Sequence, residues 1–190
     1  MKLYYTVSSK ENDVQNKPSL SLGGYKSITA LPNSEFGNLF GDISMYTVKN
    51  NNQNQYVGLI LQNETGKIVQ DINVYFVFPN TCYSNLRIAA VDLIKDSHDE
   101  YFMERVSTIN SKPLYAEFFE ANGEENTQNV GDLPINGKLG LWIERAFDLD
   151  TIKKDQNNIY EVDPSDPYHY LPLELSKEDD ISIVISWTEA

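Results

Sequence analysis

The chain has 190 residues, 41% of them hydrophobic, enough for one large domain with a substantial core. Fifteen basic against 28 acidic residues leave a formal charge of −13, which argues against gripping nucleic-acid phosphates and against docking on anionic membranes. A single cysteine, Cys82, excludes an intramolecular disulfide and a zinc site built on paired cysteines, and no apolar run approaches the ~18 residues of a membrane span.

The first residues, MKLYYTVSSKEND, contain no apolar segment followed by a cleavage site, so no secretory signal is expected. Residues 2–7 are a short apolar run suited to a strand, and the polar stretch after them runs to Pro18. Residues 1–18 are therefore expected to form an N-terminal strand or arm, ahead of one domain over 19–190. Tyr4 and Tyr5 on this arm are candidate interface residues, because tyrosine is enriched at protein contacts. Residues 19–22 lead into Gly23-Gly24, a hinge or bulge signal. Phe36, Leu39, Phe40 and Ile43 have near-helical spacing, but the glycines among them limit any helix to a turn. Asn50 to Asn54 is a polar tract that reads as a loop.

Residues 56–78, YVGLILQNETGKIVQDINVYFVF, hold two apolar runs, 56–61 and 72–78. Their β-branched and aromatic content predicts strands, and the turn formers between them, Asn63 to Lys67, predict a hairpin. In the second run Ile72, Val74, Phe76 and Phe78 point one way, Tyr75 and Val77 the other. That strand is expected to be central and covered on both faces. After a turn at 79–81, strands are expected over 86–94, 101–106 (or a helical turn), 114–119, 138–147 and 181–187, with a loop over 120–132. In KLGLWIERAF, Leu139, Leu141 and Ile143 face inward. Trp142 and Glu144 face the other way, toward solvent, an arm or a subunit, which makes Trp142 an interface candidate. About seven strands separated by turn signals predict an all-β antiparallel sandwich, immunoglobulin-like or Greek-key. Residues 148–180 carry no clear strand and form a long insertion loop, functional or ordered by a partner. Within it Tyr168, His169 and Tyr170 are the best interface anchors.

Nothing in the chain marks a catalytic, cofactor-binding or metal-binding residue. Asp148, Asp150 and Asp155 lack the glycine and glutamate of a calcium loop. His98 and His169 are the two histidines, too few for a nitrogen-based metal site. Cys82 reads as a core filler. Gly23-Gly24 lacks the context of a phosphate loop. Tyr101, Phe102, Trp142, Tyr160, Tyr168 and Tyr170 have the chemistry to stack on sugars, but large aromatics more often serve a core or an interface.

Three segments carry a resemblance. They are Leu22-Gly23-Gly24-Tyr25-Lys26-Ser27 with Asn38-Leu39-Phe40-Gly41-Asp42-Ile43-Ser44; the strand from Tyr56 to Asn63-Glu64-Thr65; and Asp132-Leu133-Pro134-Ile135-Asn136-Gly137 with Trp142-Ile143-Glu144-Arg145. In this order they resemble a β-sandwich domain of virion structural proteins of tailed bacteriophages, over about residues 19–147 and the closing strand. The resemblance implies a non-enzymatic virion protein without cofactors, forming a ring-like homo-oligomer in the head-to-tail neck or tail. Its partners would be copies of itself and other virion proteins such as portal, neck or tail proteins, with no membrane and no specific nucleic-acid binding. The arm at 1–18 and the insertion at 148–180 depart from that pattern. A capsid decoration protein is the nearest variant, and a carbohydrate- or receptor-binding module is the alternative of another class.

Overall fold

The computed structural model describes residues 1–32, 39–40, 54–77, 84–147 and 181–190. Eleven strands and one 3-10 turn, Pro18–Leu20, make up the regular structure among these residues. The strands are β1 (Lys2–Val7), β2 (Gly24–Ala30), β3 (Gln55–Gln62), β4 (Val69–Val77), β5 (Ser84–Val91), β6 (Ile94–Lys95), β7 (Tyr101–Met103), β8 (Phe119–Glu120), β9 (Gln128–Leu133), β10 (Lys138–Phe147) and β11 (Ser182–Glu189). An eight-stranded sheet has the order β6-β7-β2-β1-β3-β10-β5-β8, and a three-stranded sheet the order β11-β4-β9. Every strand pair is antiparallel. The all-β expectation therefore holds.

β3 is the axis of the large sheet. Leu61 stands opposite Leu3 of β1 and Leu139 of β10, and Leu59 opposite Tyr5 and Leu141. These rows, with Val57, Leu86, Ile88 and Ile143, form one wall of the main core. Val69, Ile72, Val74 and Phe76 of β4, Leu133 of β9 and Ile181 form the other. Burying each such side chain contributes about 1.5–3 kcal/mol. The opposite face of the large sheet also holds a core: Tyr56, Ile60, Ala89 and Trp142 are covered by Met103, Val106 and Ala116 from the 101–118 segment. The result is three layers, small sheet, large sheet and a loop layer over the large sheet's second face.

Several expectations are corrected. The 56–78 segment is no hairpin: β3 and β4 belong to different sheets, and their connection crosses from one to the other. β4 is central in its sheet but covered on one face only, with Val77 41% exposed. β3 is buried on both faces, as is β10 from Leu139 to Arg145. The strand expected over 2–7 is present as β1, but instead of starting a free arm it lies inside the large sheet and pairs with both β2 and β3. β2 carries no alternation strong enough to announce it. β9 occupies part of the expected 120–132 loop, and the expected 114–119 strand survives only as β8. Phe36, Ile43, residues 50–53, Phe78, the 79–81 turn and Cys82 lie outside the described residues, as does the whole 148–180 segment. Leu39 and Phe40 are buried in the main core.

Candidate functional site

The motif residues form the framework first. Gly23 crosses over Gly58 and the Trp142 ring with φ +82°, and a Cβ there would lie 1.9 Å from the Glu104 carbonyl oxygen. A Cβ on Gly58 would meet Gly23 N at 2.9 Å and Trp142 at 3.2 Å. Only glycines permit this stacking of chain on strand. Beside it, the Ser21 hydroxyl donates to the Gly58 carbonyl at 2.6 Å and accepts from Thr6 N at 2.7 Å, while Gly23 N donates to Thr6 Oγ1 at 3.0 Å.

Asn63 performs a second stapling. Its Nδ2 donates to the carbonyls of Lys67 (2.8 Å), Leu133 (3.1 Å) and Pro134 (2.9 Å), and its Oδ1 accepts from Thr65 N and Thr65 Oγ1. The fully buried Asn63 thus ties the β3–β4 crossing to the turn before β10. Glu144 forms a third. Its Oε1 accepts from Asn54 Nδ2 at 2.7 Å and Tyr56 Oη at 2.9 Å. Its Oε2 meets Arg87 Nη2 at 2.6 Å, off hydrogen-bond alignment, so that contact is chiefly coulombic. Burial, then the bond to Glu144, pushes the Tyr56 hydroxyl up to about 12. Arg145, on the opposite face, donates through Nε to Gln55 Oε1 at 3.0 Å and lies over the Phe40 ring.

Of the expected interface residues, Trp142, Tyr4 and Tyr5 are buried within the chain. Trp142 is fully buried beneath the chain's own Gly23 and the 101–118 layer, and its Nε1 finds no hydrogen-bond partner among the described residues. The face that the alternation turned away from the main core is closed by this chain itself. Tyr5 is 1% exposed in the main core. Tyr4 is buried with its hydroxyl donating to Glu64 and the Lys26 ammonium 4.2 Å from its ring centroid. Burial, then Glu64, pushes Tyr4 up to about 12. Burial, then the neighbouring Lys138, holds the Lys26 ammonium below the usual lysine range. Tyr168, His169 and Tyr170 lie outside the described residues.

Two surface features stand out instead. Leu114 and Tyr115 are adjacent and each 82% exposed. Their backbone is tied to Glu104, whose carboxylate accepts from Leu114 N at 3.0 Å and Tyr115 N at 3.2 Å. Ala116 then turns inward, and Phe118 packs on Tyr56 with ring centroids 5.5 Å apart. The second feature is a cleft of about 490 Å³ between Tyr101 and the 133–138 turn, with Gln62 and Lys138 at the ends of β3 and β10. Ile135, half exposed, and Tyr101 offer apolar surface there, and Lys138 is ion-paired to Glu11. Sequence reasoning missed both features. The apolar run at 114–119 carries a signal, but its pattern predicts a strand rather than an exposed tip.

Among the described residues no group of three or more His, Cys, Asp or Glu side chains is arranged to hold a metal ion, and no helix is long and apolar enough to cross a membrane. Comparison with protein-family models, with curated proteins and with solved structures finds no significant match.

Proposed function

We propose that this chain is a non-enzymatic structural protein of a tailed-phage virion, assembling in several copies as part of a head-to-tail neck or tail ring. The observation that carries the self-assembly part is the 114–115 tip: two large apolar side chains held out to solvent by a dedicated carboxylate clamp. Displaying a pre-ordered apolar anchor is what a contact element does, since little conformational freedom is then lost on binding. The buried polar groups support the structural reading too. Asn63, Glu144 with Arg87, and Thr6 with Ser21 are each engaged in holding strands and crossings together.

The virion assignment rests on the sequence resemblance, whose residues prove to be the framework of the fold: Gly23, Asn63, Pro134 and Trp142. The immunoglobulin-like, Greek-key reading of the sandwich belongs to the same proposal. It is supported by the chain's changes of sheet from β3 to β4 to β5 and again from β9 to β10 to β11. The charge of −13 suits a ring through which a polyanion passes without sticking. Mass spectrometry of purified particles tests the assignment. The chain should appear at a fixed multiple relative to the other virion proteins, and particles that lack it would sink the virion reading.

A further inference from the structure

Two Asn-Gly pairs occur in the chain, Asn122-Gly123 and Asn136-Gly137. In such a pair the glycine nitrogen, unhindered by any side chain, can attack the asparagine Cγ. The new N–Cγ bond closes a cyclic imide, and the side-chain nitrogen leaves as ammonia. Water then opens the imide at one carbonyl or the other, leaving aspartate or isoaspartate, and nothing is oxidised or reduced. The attack needs a glycine nitrogen free to lose its proton and to swing toward Cγ. A nitrogen whose N–H is fixed in a backbone hydrogen bond is not free in that sense.

Both asparagines are exposed, yet both glycine nitrogens are engaged. Gly123 N donates to the Phe76 carbonyl at 2.9 Å, and Gly137 N to the Pro134 carbonyl at 2.8 Å. The pairs differ in what holds those bonds in place. The first hangs on the end of β4, where Phe76 N donates to the Ala121 carbonyl at 2.7 Å, and Gly123 has open space around it. The second is laced to β3 by Asn63. Asn136 N donates to the Asn63 carbonyl at 3.0 Å, and Asn63 N to the Gly137 carbonyl at 2.9 Å. The Pro134 carbonyl that accepts from Gly137 N also accepts from the buried Asn63 Nδ2, at 2.9 Å. The turn has no slack, for a Cβ on Gly137 would lie 2.6 Å from Pro134 Cδ.

We propose that Asn136 is a latent deamidation site, held shut by Asn63, which converts when the turn before β10 opens. Conversion places a carboxylate in the cleft lining that Asn136 shares with Gln62 and Lys138. The isoaspartate product also lengthens the backbone of the turn by one methylene, which displaces Gly137 relative to Asn63. The step is one-way, so it marks each molecule whose turn has opened. Asn122 carries the same reactive pair without the Asn63 lacing and is the internal comparison.

The test incubates the full chain, folded and unfolded in guanidinium, at one mildly alkaline pH, and maps aspartate and isoaspartate at both sites over time. Unfolded, the two sites should convert at similar rates. Folded, Asn136 should convert at least about a hundredfold more slowly than unfolded and about tenfold more slowly than Asn122, because modification of a transiently opened segment tracks the population of its open form. Asn63→Ala should raise the folded rate at Asn136 about tenfold and leave Asn122 within about twofold. A folded rate at Asn136 equal to the unfolded rate would overturn the proposal. So would the same increase at both sites in Asn63→Ala, since the reaction would then run through the globally unfolded chain. If circular dichroism shows Asn63→Ala to be unfolded, the wild-type comparison decides alone: Asn136 converting as fast as Asn122 in the folded chain removes the latch.

Discussion

The Asn63 side chain has no exposed surface and receives or makes five hydrogen bonds, three of them to carbonyls: Lys67 in its own turn, and Leu133 and Pro134 before β10. Removing the amide strands those carbonyls away from water, at a cost of about 1–3 kcal/mol for a buried unsatisfied group. Asn63→Ala should therefore lower stability by about 2–4 kcal/mol in urea unfolding. Asn63→Asp should be no milder near neutral pH, because it turns a carboxylate toward the carbonyls its amide served. The glycines give a sharper contrast. Gly23→Ala puts a methyl 1.9 Å from the Glu104 oxygen, and should cost more than ~3 kcal/mol or prevent folding. Gly66→Ala, with a similar φ of +79° but open space around it, should cost only about 1–2 kcal/mol. Equal losses for the two in the same unfolding experiment would contradict the close crossing of Gly23 over β3.

Two tyrosines also report at this scale. Tyr4 and Tyr56 are each raised from 10.0 to about 12, by burial first and then by a carboxylate partner. A folded-state value above the unfolded one means stability that is fully present below pH 10 and lost as pH rises from 10 toward 12. Absorbance titration of tyrosinate should show Tyr4 and Tyr56 among the groups that ionise well after the exposed ones. Tyr4→Phe and Tyr56→Phe should each remove one of them, and a titration uniform near 10 would refute the burial described.

At the scale of elements, the strands with strict alternation were readable. β10 shows Leu139, Leu141 and Ile143 on one face, and β5 and β11 follow the same two-residue period. What local pattern could not reveal was which sheet a strand joins. β3 and β4 read as a hairpin because turn formers lie between them, yet the partners of β3 are β1 and β10, chosen by rows of leucines far apart in sequence. β9 was hidden because its residues are polar and Gly131 sits in the left-handed region. The burial of Trp142 was hidden because its cover, the 101–118 segment, is held by scattered side chains, Met103, Val106, Ala116 and Phe118, and by backbone hydrogen bonds such as Val106 N to Leu22 O, rather than by one alternating run. That cover is testable. Trp187 is 37% exposed and Trp142 not at all. Acrylamide should quench wild-type fluorescence in two classes, and Trp187→Phe should leave only the protected one. Quenching of that remaining emission as efficient as in the unfolded chain would mean that the loop layer does not seal the face.

For the whole molecule, the acidic balance and the absence of paired cysteines were legible at once, whereas the surface that would meet a partner was not. The sequence pointed to Trp142, Tyr4 and Tyr5 because large aromatics dominate interfaces. In the fold all three are buried within the chain, and the most exposed large apolar side chains among the described residues are Leu114 and Tyr115. Aromatic identity cannot distinguish a core side chain from a contact side chain; only the packing of the remaining chain does so.

Self-association is the property on which the proposed role of this all-β chain depends. Light scattering coupled to size exclusion, over a wide range of protein concentration, tests it most directly. The account predicts conversion from monomer to one closed oligomer of fixed mass, abolished by Tyr115→Asp without loss of thermal stability. A monomer at every concentration, with the tip intact and the chain folded, would contradict it.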